Sequence, residues 1–255
     1  MFKVLICIIA GIGAGVGTGF AGMSAAAVIS PMLIAFLDMD PYLAVGIALA
    51  SDVLASAASA VTYGKNKNLD IKNGLIMMAS VLCFTAVGSF VASVVPKTAM
   101  GNFSVIMTLQ LGVKVIVKPV VAPKRRLTEA TTAQKAVRSV LCGSAVGFIC
   151  GFVGAGGGMM MLLVLTSVLG YELKTAVGTS VFIMSITALT GSVSHFVIGG
   201  LPDTEALIIC IVSTLAAAQL SAVFANKASP KTLNRITGAI LVALGIAVLV
   251  VNHIS

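Results

Sequence analysis

A single carboxylate, Asp52, lies well inside an apolar run. A charge in such surroundings is expensive and marks a functional candidate by default. Asp52, Ser56, Ser59 and Tyr63 follow at intervals of 4, 3 and 4, which puts them on one face of a helix. A polar stripe of this kind lines a bundle interior or a water-filled path, and Asp52 on it can carry a coupling proton. The competing reading is a helix cap near a membrane surface, because Asp52 lies about ten residues from the acidic loop 38–42. His195 is the one histidine outside the last few residues. Its titration range suits proton exchange or anion binding; equally, an interfacial histidine can simply bond a neighbour.

The densest local signal is Gly154-Ala155-Gly156-Gly157-Gly158, followed by an apolar arm. Glycine lets backbone N–H groups approach a ligand closely. A short helix beginning there would aim its unsatisfied N–H groups and positive dipole end at the tip, an anion site in form. Close packing of helices accounts for the same glycines. Ala176-Val177-Gly178-Thr179-Ser180 adds two hydroxyls near a helix start, either oxyanion donors or small packing residues. Met159, Met160 and Met161 read as packing rather than metal ligands, and neither a metal nor a cofactor is expected.

These motifs recur. Residues 11–50 align without a gap to 143–182, an offset of 132. Gly11, Gly15, Gly19, Phe20, Gly22, Leu33, Leu37, Ala44, Val45 and Gly46 match Gly143, Gly147, Gly151, Phe152, Gly154, Leu165, Leu169, Ala176, Val177 and Gly178. The first-half counterpart of the glycine tip is Gly22-Met23-Ser24-Ala25-Ala26, poorer in glycine but carrying a hydroxyl. The face in the second half that matches Asp52–Tyr63 carries Met184, Ala188, Gly191 and His195. Pro96-Lys97-Thr98 matches Pro230-Lys231-Thr232 at an offset of 134. Duplication in an apolar chain is a mark of secondary transporters, with the substrate site where the copies meet.

The composition agrees. Of 255 residues, 58% are hydrophobic and 9% charged, with a mean hydropathy of +1.11. Soluble domains carry about a quarter charged residues, and several runs here are long enough to span a bilayer. The loops are short, so no separate soluble catalytic domain fits, and neither a metal constellation nor a nucleophile–base pair points to an enzyme. The net charge of +8 reflects basic residues in short loops, as the positive-inside rule requires, rather than a nucleic-acid partner. Lys114 and Lys118 read as side chains snorkelling to the cytoplasmic surface, with attraction of an anion the other reading of Lys114. The five cysteines lie in apolar runs without CxxC spacing, as small buried residues do. Residues 4–22 resemble a signal peptide, but the same pattern recurs at 139–158, so they are expected in the mature chain.

Four apolar blocks per half follow: 4–37, 43–63, 74–95 and 99–118, then 139–169, 175–198, 205–225 and 233–252. The domain division is a first membrane repeat at 1–118, a basic cytoplasmic linker at 119–137 and a second membrane repeat at 138–255. The first block of each half is too long for one span. As helix, 34 residues reach about 51 Å against a hydrocarbon core of about 30 Å. Gly11 to Gly22 and Gly147 to Gly158 are expected to break these blocks into hairpins of two short arms with tips inside the membrane. With the linker inside, the hairpin reading also puts Lys65, Lys67, Lys72, Lys227, Lys231 and Arg235 inside and Asp38, Asp40, Asp203 and Glu205 outside. The expected fold is an all-α, multi-pass membrane protein. It has two inverted-topology repeats, each a broken or re-entrant helical hairpin followed by three transmembrane helices.

At these residues the chain resembles the TauE/SafE family of sulfite and organosulfonate exporters. The similarity rests on the glycines at 154–158, Ala-Val-Gly-Thr-Ser at 176–180, the polar helix ending in His195, and Gly-Leu-Pro-Asp at 200–203. It extends over the length, the repeat and the basic linker. The first half departs from the pattern, lacking the triple glycine at 22–26 and carrying Ile47-Ala48 in place of Thr-Ser. The resemblance implies transport of small sulfur-containing anions such as sulfite and sulfonates, in the plasma membrane. The residues themselves imply only a small-anion site at Gly22, Met23, Ser24, Gly154, Gly156, Gly157, Gly158, Thr179, Ser180 and His195, with Asp52 coupling a proton. An anion channel, or an uptake permease for another small organic or inorganic anion, fits the same residues. The bilayer, a small anion, a proton and a second copy of the chain are the expected partners.

Overall fold

The computed structural model describes residues 1–94, 132–153 and 157–229, with single positions between 231 and 250. The expected block 99–118, most of the linker, most of 233–252, and the tip residues Gly154 and Gly156 lie outside the described residues. The rest is helical, with no strand among the described residues. The elements are α1 (Phe2–Ala21), α2 (Ala26–Leu37), α3 (Pro41–Lys65), α4 (Ile71–Val94), α5 (Thr132–Val153), α6 (Gly157–Ser167), α7 (Leu173–Gly199) and α8 (Thr204–Lys227). Four of them, α1, α3, α7 and α8, are long and apolar enough to cross a membrane. Helix α5 begins ahead of the apolar block at 139–169. Thr132, Gln134, Lys135 and Arg138 extend α5 as a polar turn ahead of its apolar stretch.

Acidic residues start three helices. Asp40 accepts from the Leu43 N–H at 3.1 Å ahead of α3, with Pro41 at the first helical position. Asp70 accepts from the Asn73 N–H at 3.1 Å for α4, and Asp203 from the Ala206 N–H at 3.0 Å for α8.

The first hairpin breaks later than expected. Gly11, Gly13, Gly15, Gly17 and Gly19 all lie inside the continuous helix α1. The 20 residues of that helix reach about 30 Å, so the first arm is not short. The break is at Gly22, where φ is 60° and ψ is 36°, a left-handed conformation that closes the helix. Its N–H bonds Thr18 O at 2.9 Å and the Met23 N–H bonds Gly17 O at 3.4 Å. The inner glycines instead form a packing seam. Gly11 lies on Ser213 and Cys210, Gly15 on Thr214, Ala217 and Ala218, and Gly19 on Ala218, Ser221 and Ala222 of α8. Small residues at every fourth position let two membrane helices approach closely. Gly143 and Gly147, their repeat partners, lie on Met77, Ser80 and Val81 of α4.

The packing repeats with the sequence. The pairs α1·α8, α1·α2, α2·α3 and α3·α8 have counterparts α5·α4, α5·α6, α6·α7 and α7·α4 when the halves are exchanged. At the centre, α3 and α7 run antiparallel, with Gly46 against His195 and Gly178 against Tyr63. Each contact maps onto the other at the offset of 132. Among the described residues there are two apolar cores. One gathers Cys7, Ile29, Leu33, Ala44, Ile47 and Cys210 where α2 ends and α3 and α8 begin. The other gathers Met77, Val81, Val146, Leu165, Leu169 and Val177 where α6 ends and α7 begins. The outer faces remain apolar, with Ile9, Ile12, Leu54, Val61, Val212 and Leu220 exposed. That suits lipid and not water.

Candidate functional site

The two helix breaks meet. A Cβ placed on Gly158, in the first turn of α6, would stand 2.7 Å from Gly22 O, Ser24 N and Met184 Sδ. No side chain fits there. Ser180, fully buried on α7, donates its hydroxyl to Gly22 O at 3.1 Å, with Gly158 O as a more distant acceptor at 3.5 Å. Glycine is required at position 22 as well: its φ is positive, and a Cβ would lie 3.0 Å from Ser180 Oγ.

The first tip is fastened from several sides. The Thr18 hydroxyl lies 2.9 Å from Met23 O and 3.0 Å from Ala14 O, the acceptors on either side of the turn. The Ala26 N–H reaches Ser24 Oγ at 3.3 Å and the Ala27 N–H reaches Ser24 O at 3.1 Å, starting α2. Tyr63, fully buried at the end of α3, donates to Gly19 O at 2.8 Å. Asp52, Ser56, Ser59 and Tyr63 are all at 0% exposure, so the polar stripe of α3 faces inward. Ser56 donates to Asp52 Oδ1 at 2.8 Å, and the Ser24 hydroxyl and Ala25 N–H face the same carboxyl group. Asp52 and Ser180 thus flank one short segment, residues 22–25, from α3 and α7.

The other expected site residues are placed differently. Gly22, Ser24, Gly158 and Ser180 come together, with Gly157 beginning α6 beside them. Met23 is buried, its thioether packed on Gly17. Thr179 is also fully buried, but its oxygen accepts the Asp70 N–H at 3.1 Å, away from the tips. His195 is half-buried against Gly46. Fifteen residues of helix, about 22 Å, separate it from Ser180.

Beyond Thr179 a polar lattice joins the turns of both halves. Asp70 Oδ2 accepts from Tyr171 Oη at 2.8 Å and from Asn73 Nδ2 at 2.7 Å. Burial, and then the bond and charge of Asp70, push the Tyr171 phenol well above its usual range, so it stays protonated. Asn68 Nδ2 donates to Asn226 Oδ1 at 2.7 Å, and Lys174 to Asn226 O at 2.6 Å. At the opposite end Lys3 pairs with Asp203 and Glu205. The bond from the Lys3 ammonium, followed by the Ala206 N–H, holds the Asp203 carboxyl below the usual carboxylate range. Neither network was anticipated from sequence. The signal available was the position of Asp70 and Asp203 just before apolar runs, the place of helix caps.

A helical bundle whose outer faces are apolar and whose broken helices meet in a buried polar contact belongs among membrane transporters. The comparison with known proteins makes this specific. Residues 7–248 match the family described as Sulfite exporter TauE/SafE, and the chain belongs to that family. It is 26% identical to the probable membrane transporter protein YunE of Bacillus subtilis over 261 residues, 94% of this chain and 95% of that protein. It is 24% identical to the probable membrane transporter protein YdhB of the same organism, covering 83% and 86%. A third relative, the probable membrane transporter protein MJ0441 of Methanocaldococcus jannaschii, is 23% identical, covering 81% and 78%.

Proposed function

We propose that this chain is a multi-pass plasma-membrane secondary transporter of small sulfur-containing anions such as sulfite or organosulfonates, exporting them. The observation that carries the reading is the contact of Gly158 with Gly22 and Ser24 beneath Ser180. A small anion in a low-dielectric interior needs donors. The first turn of α6 contributes N–H groups and a positive dipole end. Ser180 adds a hydroxyl that can turn from Gly22 O to a ligand. The anion site comprises Gly22, Met23, Ser24, Ser180 and the glycines at the start of α6, Gly157 and Gly158. Thr179 acts on it by fixing α7 to the start of α4, and His195 acts at the far end of the same helix. The family to which the chain belongs supports the sulfur chemistry; the geometry supports only a small anion.

The halves are proposed as inverted repeats, with α3 and α7 crossing at their axis. The end carrying Lys65, Lys67, Lys72, Lys174 and Lys227 is the cytoplasmic one, in keeping with the positive-inside rule. Asp52 is the proposed coupling site. A buried carboxyl beside the tip can bind a proton when the anion enters, which spares the interior a second negative charge. A binding screen of purified protein against sulfite, sulfate, thiosulfate and several sulfonates tests the substrate class. Stabilisation by sulfite or a sulfonate is expected, and a flat response to every one of these anions would remove the reading.

A further inference from the structure

Helix α8 of the second half packs on α1 and α3, and α4 of the first half packs on α5 and α7. The bundle is therefore two groups, α1–α2–α3–α8 and α4–α5–α6–α7, joined along α3 and α7 and at the tips. At the end carrying Lys65 and Lys227 the groups touch again. Lys174, half-buried in the first turn of α7, donates to Asn226 O at 2.6 Å in the last turn of α8. That carbonyl is one of those a helix end leaves unsatisfied, and a cation there suits the negative end of the dipole. Asn226 is pinned on its own side: Nδ2 donates to Ala222 O at 2.8 Å, and Oδ1 accepts from Asn68 Nδ2 at 2.7 Å. The Asn68 carbonyl in turn lies on Gly178, one turn beyond Lys174.

The opposite end is built differently. The offset of 132 matches Gly178 with Gly46, Tyr63 with His195 and Asn68 with Gly200. A Cβ on Gly178 would meet Tyr63 Cβ at 2.8 Å, and one on Gly46 would meet His195 Cβ at 3.2 Å. The match fails at the third pair. Gly200 has open space around its Cβ position, and Gly46 carries the Phe196 ring instead. The position matching Phe196 is Gly64, which has no side chain to hold the inner turn off α7. The inner end thus closes backbone on backbone, with Lys174 across it.

We propose that Lys174 is the cytoplasmic latch of the transporter, holding α7 to α8 while the inner end is closed and released when an anion arriving from the cytoplasm takes the ammonium from Asn226 O. The inference rests on the reading of the chain as an anion transporter with this end inside. The neutral carbonyl is the weaker partner, because a hydrogen bond between two ionised groups is the stronger one. An oxyanion therefore binds the opened end better than the closed one, and that difference in affinity shifts the equilibrium. Ser180 lies six residues further along α7, about 9 Å of helix, so the joined tips are next inward from Lys174.

Hydrogen–deuterium exchange of the detergent-purified full chain, with and without sulfite, tests the latch. Lys174→Met keeps the apolar stem and removes the ammonium. It is expected to speed exchange over residues 60–70 by about tenfold, the effect of losing a hydrogen bond to a charged group. Residues 200–210, at the opposite end, are expected to exchange as in wild type. Sulfite is expected to speed exchange over 60–70 in wild type and to leave that segment of the variant unchanged. If the methionine variant does not fold, Lys174→Gln carries the same expectations. Exchange over 60–70 at the wild-type rate, or faster exchange at both ends alike, would overturn the latch and leave the transporter reading intact. Equal acceleration of variant and wild type by sulfite would overturn release through Lys174. A fast variant beside a wild type unmoved by sulfite would sustain the latch and remove sulfite as the anion that opens it, a failure of the proposed substrate alone.

Discussion

Gly158 and Gly22 belong to different halves of the chain, yet a Cβ on Gly158 would stand 2.7 Å from the Gly22 carbonyl oxygen. The two breaks in the bundle are therefore a single joint, closed by Ser180 from a third element.

Gly158→Ala tests that joint. The Met184 sulfur can move aside, but Gly22 O and Ser24 N are backbone, so the methyl forces the tips apart. Overpacking of this kind costs about 1–3 kcal/mol. A lower melting temperature is expected, together with loss of sulfite binding in the protein that remains folded. Unchanged stability and binding would mean that the joint tolerates a gap.

The glycine seam of α1 makes a separate prediction. At Gly15 a Cβ would meet Ala217 Cβ at 2.7 Å and Ala218 N at 2.8 Å, whereas at Gly13 only Val28 Cγ1 comes near, at 3.4 Å. Gly15→Leu is expected to lower thermal stability sharply by prising α1 from α8. Gly13→Ala is expected to be neutral or mildly stabilising, since alanine is the better helix former by about 1 kcal/mol. Equal effects in thermal unfolding would contradict the seam.

These two glycine roles explain what the sequence could and could not reveal. The repeat register was readable because the packing of the two halves preserves it: Gly46 and Gly178 align, and the contacts Gly46–His195 and Gly178–Tyr63 follow from one another. The position of the break was not readable. Helix α1 accommodates five glycines without interruption because α8 packs on three of them, and only the left-handed Gly22 stops it. Thr179 and Ser180 are adjacent in sequence, but neighbouring positions on a helix point about 100° apart, so one faces α4 and the other the tips. Asp52 reads equally as a surface cap or a buried charge until the fold brings Ser24 and Ala25 against it.

Asp52→Asn separates coupling from binding. The amide retains the shape and the Ser56 contact but has no titratable proton. Proteoliposomes carrying this variant are expected to lose accumulation driven by a pH gradient while retaining sulfite exchange at equal pH. A pH dependence identical to wild type would take Asp52 out of the coupling mechanism.

The Lys3–Asp203 pair predicts a pH dependence of stability. Its carboxyl is held below its ordinary range in the folded chain. Its contribution is therefore complete above the unfolded carboxylate pKa, about 4, and is lost as pH falls through the lower folded value. Lys3→Met is expected to melt slightly below wild type at pH 7, with the difference closing as the pH drops below about 4. The effect is small because both side chains are about one-third exposed, at 33% and 37%. A gap that widens in acid would contradict the assignment.

Counterflow of radiolabelled sulfite into proteoliposomes preloaded with unlabelled sulfite tests the central claim most directly. Wild type is predicted to show transient, saturable accumulation. Ser180→Ala, which removes one hydroxyl donor to the anion, is predicted to require about tenfold more sulfite for half-saturation, the effect of losing a hydrogen bond to a charged partner worth roughly 1.5–3 kcal/mol. Linear, non-saturating flux that is the same in both proteins would contradict a carrier with its anion site at the joined tips.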